Sequence, residues 1–235
     1  MTDETVPVLP ALDLARLVRR QLHVILALDC SGSMRGSKIA SLNYAIRAAI
    51  PELRSVAADN PEVDVRVRAV RFASTVTWHI ADPAPVDALD WTDLQADGET
   101  HMGDALAAIG AALTREALPG RQLPPVIVLA SDGQPSDDIE AGLAALLGSY
   151  YGGRALRVAI SIGRDADDEL LERFIAHPPM RPLQANNAQD LVQHIKWATT
   201  MPVRSVSAAT IAPDPVADLA RDAALRQPVA SELVW

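Results

Sequence analysis

Three hydroxyls and two carboxylates in this chain stand where they can share one hard cation. Asp29, Ser31 and Ser33 alternate in the run Leu28-Asp29-Cys30-Ser31-Gly32-Ser33-Met34, directly after the apolar stretch His23 to Leu28. At the end of a buried strand, side chains at alternate positions converge. Two further segments, Gly98 to Leu106 and Leu129 to Asp138, supply Thr100 and Asp132. The set is all oxygen with only two charges, which suits Mg2+, Mn2+ or Ca2+ and not zinc. Mg2+ is the expected ion.

Positioning such a set requires strands that end together, and the hydropathy pattern provides them. His23 to Leu28 and Pro125 to Ala130 are short continuous apolar runs, as expected of strands covered on both faces. Leu156 to Ile162 is a third strand, and Arg181 to Gln184 a last short one. Val63 to Phe72 alternates and Ser74 to Ile80 follows after Ala73 alone, so a tight antiparallel hairpin is predicted. Helices are predicted over residues 38–56, 102–118, 137–148, 167–176 and 188–199, with Pro51 expected to kink or shorten the first. The Pro- and Asp-rich residues 82–97 read as loop. Strands alternating with helices predict a Rossmann-like, doubly wound α/β fold: a mostly parallel sheet of about six strands, one antiparallel, with helices on both faces. In such a sheet the ligand site lies at the carboxyl ends of the strands, where Asp29 and Asp132 both fall.

Competing chemistries fail at named positions. An EF-hand loop starting at Asp29 needs Gly at its sixth position and Glu at its twelfth, and Met34 and Ala40 stand there. A nucleophile elbow centred on Ser33 needs Gly where Ser31 stands. A D-x-D phosphotransferase needs an acid at Ser31, and no Walker loop is present. Cys30 is the sole cysteine, so no internal disulfide can form, and it reads as a packed residue. Glu99, Asp104, Asp137 and Asp138 read as helix-start acids. His101 reads as a surface histidine, and Trp78, Trp91 and Trp197 as packing residues. Trp235, at the end of the chain, reads as a residue that docks in trans or as a disordered end.

Asp29-x-Ser31-x-Ser33, Gly98-x-Thr100-x-x-Gly103-x-Ala105-Leu106 and Ser131-Asp132-Gly133-x-Pro135-x-Asp137 together resemble the metal-ion-dependent adhesion site of von Willebrand factor A (VWA) domains. The resemblance spans roughly residues 20–200. With Ser205-Val206-Ser207 the texture is most similar to bacterial VWA proteins associated with tellurium resistance. It implies that Ser31 and Ser33 bind a metal directly, that Thr100 does so when a partner is engaged, and that Asp29 and Asp132 act through waters and orient the serines. It also implies a protein partner whose Asp or Glu completes the coordination, in stress or conflict-response assemblies with kinases, phosphatases or ATPases.

Bulk properties bound these readings. A chain of 235 residues can bury a full core, and 49% apolar with 22% charged residues is ordinary for a soluble globular protein. Net charge is −9 without a Lys/Arg-rich run, so nucleic acid is not expected as a partner. Residues 1–10 lack a secretory pattern and no apolar run reaches 18 residues, so no membrane span and a cytoplasmic location are expected. The expected organisation is an N-terminal segment 1–20, a VWA domain 21–201 and a tail 202–235, with a short helix over 216–225. Three functions follow: a non-catalytic metal-dependent binding module, a metal-assisted hydrolase using Glu99 or His101 as base, or a scaffold that binds through its tail.

Overall fold

The computed structural model describes residues 19–164, 166–177, 180–208 and 222. In chain order the elements are β1 (Arg20–Asp29), α1 (Ser37–Ala58), β2 (Val63–Phe72), β3 (Val76–Pro85), α2 (Met102–Ala112), β4 (Val126–Ser131), α3 (Ile139–Gly148), β5 (Leu156–Ile162), α4 (Asp168–Ile175), β6 (Leu183–Ala185) and α5 (Ala188–Ala208). The sheet runs β3-β2-β1-β4-β5-β6, with every pairing parallel except β2 with β3. This is the doubly wound arrangement that the hydropathy pattern predicts.

Burial follows strand position. The central strands β1, β4 and β5 are buried almost throughout, whereas β2 alternates between buried and half-buried residues. Right-handed crossovers from β1 toward β2 and from β4 toward β5 leave the sheet in opposite directions and so place their helices on opposite faces. α1 packs against α5, and α2 against α3. Leu42, Ile46, Ala49 and Leu53 of α1 and Leu191, Ile195 and Ala198 of α5 lie buried in one continuous core.

Four boundaries differ from the sequence expectation. β3 continues through Asp82 and Pro83 to Pro85, where a loop is predicted. It is the outermost strand, and an edge tolerates proline because one side needs no ladder. α2 stops at Ala112 and not Leu118. Tyr151 N takes the Leu113 carbonyl at 3.0 Å, and the Thr114 hydroxyl accepts from Ala117 N at 3.2 Å to start a separate turn. α1 runs unbroken through Pro51. α5 passes Pro202, with Val203 fully buried and Arg204 3.8 Å from Glu52 of α1, so tertiary packing carries the helix beyond its expected end at Thr199. The Thr199 and Thr200 hydroxyls bond back to the Ile195 and Lys196 carbonyls at 2.8 and 2.7 Å, in the turn ahead of the proline. Trp197 donates to Asp222 at 2.5 Å. The expected segment 1–20, apart from its last two residues, lies outside the described residues, as do the helix over 216–225, apart from Asp222, and Trp235.

Candidate metal centre

The strand order reverses between β1 and β4, so the loops leaving these neighbours diverge and open a crevice at the sheet's carboxyl edge. Asp29 ends β1 and Ser131 ends β4, one residue beyond the paired Leu28 and Ala130. The Ser131 hydroxyl donates to Asp29 Oδ2 at 2.5 Å, and the Ser31 amide donates to Asp29 Oδ1 at 2.8 Å. Both Asp29 oxygens are therefore held, and the residue is fully buried. A single 3-10 turn over Gly32–Met34 then sets the Ser31 and Ser33 hydroxyls side by side, 2.9 Å apart. Ser33 Oγ donates to Asp132 Oδ1 at 2.7 Å, joining the first loop to the third.

Thr100 enters from the loop ahead of α2. Its amide donates to Ser136 Oγ at 3.1 Å, and the Ser136 amide returns a bond to the Thr100 carbonyl at 2.9 Å. Gly98, two residues earlier, has φ +81, and a Cβ there would fall 2.4 Å from Ser74 Oγ. Only glycine satisfies both the left-handed backbone and the close approach. Its carbonyl accepts from Gly32 N at 2.8 Å, while Cys30 O accepts from Asp97 N at 2.7 Å, so the second loop is stitched to the first. Asp137 accepts from Gly103 N at 3.0 Å and Asp104 N at 2.8 Å, capping α2 from a different loop. Asp138 caps α3 through Ala141 N at 3.0 Å.

The three loops enclose a recess beside Gly133. A methyl group on Gly133 would stand 3.6 Å from both Ser33 Oγ and Thr100 Oγ1, and 3.9 Å from Asp29 Oδ2. Oxygens of three predicted ligands thus face one small volume that any larger residue would fill. Among the described residues no cluster of three or more His, Cys, Asp or Glu side chains could hold a metal, so a cation here would rest on hydroxyl oxygens. The fit is to a hard, oxygen-loving cation. Asp29, Ser31, Ser33, Thr100 and Asp132 are all brought to this one edge.

Burial pushes the Asp29 carboxyl above the usual carboxylate range, against the opposing hydrogen bonds from Ser131 and Ser31. It also pushes the Cys30 thiol up to about 12, helped by the Asp29 charge, and Cys30 is fully buried as a packing residue. His101 lies 3.2 Å from Glu99 and 3.4 Å from Asp104, within an acidic rim. Trp91 and Trp197 are buried, and Trp78 lies half-buried with the Arg68 guanidinium 3.8 Å from its ring centre.

The structure adds residues that sequence reasoning passed over. Lys38, in the first turn of α1, forms an ion pair with Asp132 Oδ2. Ser136 fixes Thr100, and Ser131, read from the sequence only as part of a motif, fixes Asp29. Asn43 in α1 accepts from Leu94 N at 2.8 Å and Trp91 Nε1 at 3.2 Å and donates to Leu94 O at 2.9 Å, anchoring the loop that leads to Thr100. A buried Asn in the apolar face of a predicted helix was the one available signal.

Solved structures share this architecture at low sequence identity. A von Willebrand factor type A protein from Catenulispora acidiphila superposes with a TM-score of 0.61 at 17% identity, covering 78% of this chain and 43% of its own. The pilus adhesin SpaC from Lactobacillus rhamnosus GG gives 0.61 at 13% identity, covering 78% and 31%. Proximal thread matrix protein 1 from the mussel byssus, with a zinc-occupied MIDAS motif, gives 0.57 at 16%, covering 80% and 46%. The chain thus spans less than half the length of each. No curated protein matches it significantly. The model of the von Willebrand factor type A domain, however, matches residues 23–196, and the chain belongs to that family.

Proposed function

We propose that this chain is a metal-dependent capture module that binds an acidic side chain of a protein partner without chemical turnover. The carrying observation is the convergence of Ser33, Thr100 and Asp29 oxygens on the recess beside Gly133, with Ser31 and Asp132 bonded into the same cluster. Ser31, Ser33 and Thr100 would hold the cation, Mg2+ because it keeps several of its waters and so needs few protein ligands, while Asp29 and Asp132 orient the hydroxyls. When bound, such an ion supplies an electrophile whose charge is only partly neutralised and which attracts a carboxylate. The adhesin and matrix protein of like fold support binding as the role. The motif texture supports a cytoplasmic stress or tellurium-resistance assembly with kinase, phosphatase or ATPase components.

The test is retention of partners by the immobilised chain with Mg2+ and with chelator, alongside a variant carrying Asp29→Ala and Ser31→Ala. Capture should require Mg2+ and vanish in the folded variant. Retention unchanged by chelator would refute the reading, and metal-dependent turnover lost on changing Glu99 or His101 would establish the hydrolase instead.

A further inference from the structure

The Lys38 ammonium is the one cation in direct contact with the candidate ligand cluster among the described residues. It pairs with Asp132 Oδ2 while Ser33 occupies Asp132 Oδ1. The lysine side chain is 15% exposed and the Asp132 side chain is fully buried, so the charge is delivered inside the site and not across solvent. Its position is otherwise unfavourable, since a cation in the first turn of a helix faces the positive end of the macrodipole. Asp132 compensates for that placement.

We propose that Lys38 sets the net charge of the loaded site, weakening its hold on the metal and strengthening its hold on a single carboxylate. The inference rests on the metal-site reading above. With a dication bound, the Asp29 and Asp132 carboxylates would carry two negative charges around it and neutralise it without help. The Lys38 ammonium leaves the loaded site with one net positive charge, matched by one Asp or Glu from the partner. Removing the ammonium makes the empty site more negative, so the metal binds more tightly. The same removal makes the loaded site neutral, so an incoming carboxylate binds more weakly. Opposite changes in two affinities separate this role from a merely structural one, which would lower both.

The experiment uses the full chain with Mn2+ as the metal probe and acetate as the carboxylate probe. Mn2+ affinity is read from the free-ion electron paramagnetic resonance signal, and acetate binding from the fall in water-proton relaxation of the Mn2+-loaded protein. Lys38→Gln should bind Mn2+ about tenfold more tightly and acetate about tenfold more weakly, the scale of one unit charge acting over a few ångströms under solvent screening. Lys38→Arg, which keeps the charge, should match the wild type in both, and Lys38→Met, which keeps the stem and removes the charge, carries the same comparison if the glutamine variant does not fold. Equal or weaker Mn2+ binding by Lys38→Gln, unchanged acetate binding, or an arginine variant unlike the wild type would overturn the proposal. Wild-type protein that fails to bind Mn2+ would overturn the metal-site reading itself.

Discussion

Adding one methyl group to α3 should have opposite effects at its two ends. Gly142, in the first turn, meets the backbone of Gly103 so closely that a Cβ would lie 2.1 Å from the Gly103 carbonyl oxygen and 2.5 Å from its Cα. The reverse contact is as tight, with a Gly103 Cβ falling 2.4 Å from Asp138 O. Ordinary carbon contacts begin near about 3.5 Å, so Gly142→Ala must part α2 from α3 by roughly 1 Å. A gap of that size forfeits a sizeable share of the dispersion energy along Met102, Leu106, Leu143 and Leu146, all buried. Overpacking of this kind costs about 1–3 kcal/mol, the added separation deepens it, and the gain in helix propensity returns about 1 kcal/mol. We expect a net loss of about 2–3 kcal/mol. Gly148, exposed at the far end of α3, has nothing within 4 Å of its would-be Cβ, and Gly148→Ala should gain about 0.5 kcal/mol. Urea unfolding midpoints at constant slope measure both. Metal affinity should fall only in Gly142→Ala, because parting the helices pulls Thr100 from Ser136. Equal stabilities of the two variants would refute the account of the α2–α3 contact.

Three further outcomes follow from buried polar groups. Burial, with Arg68 and Arg66 nearby, pushes the His23 imidazole down to about 4 from its ordinary 6.5. The unfolded chain therefore takes up a proton first, so stability is fully present above pH 6.5 and is lost as pH falls toward 4; His23→Leu should lose about 3 kcal/mol less than the wild type over that window in urea titrations. Asn43→Ala strands the Leu94 amide and carbonyl and the Trp91 indole, and should cost about 2–4 kcal/mol with a red shift in tryptophan emission. Cys30, fully buried, should react with a thiol reagent only in denaturant, and rapid labelling of the native chain would contradict its packing role.

The strands that matter for the site were legible because the central three are covered on both faces and so read as unbroken apolar runs. What misled was local chemistry overruled by context. Asp82, Pro83 and Pro85 read as loop, yet an edge strand has a free side on which proline does no harm. Pro202 reads as a stop, yet the burial of Val203 keeps α5 going. The candidate ligands are read from short-range spacing in three separate motifs, and the structure brings all five to one edge. The residues that hold them were not legible, because Ser131 with Asp29, Ser33 with Asp132 and Lys38 with Asp132 are joined across 102, 99 and 94 positions. Nothing in local sequence records such pairings.

These long-range bonds also favour hydroxyls over carboxylates as the donors that the proposed site would offer a cation. Asp29 accepts from Ser31 N and Ser131 Oγ, one bond to each oxygen, and Asp132 accepts from Ser33 on one oxygen and Lys38 on the other. Both carboxylates are thus engaged in fixing the protein's own groups. A carboxylate so engaged is a weaker donor to a cation than a free one, because its charge is already shared with hydrogen-bond donors and an ammonium. Nearest the recess beside Gly133 are the hydroxyl oxygens of Ser33 and Thr100, with Asp29 Oδ2 slightly farther and already bonded to Ser131. Neutral oxygens leave a dication's charge largely unspent, and a buried setting strengthens its pull on any anion that reaches it. Evolution of such a site into a tighter metal holder would need only Ser31 or Ser33 to become an acid, and the same change would remove its attraction for an incoming carboxylate.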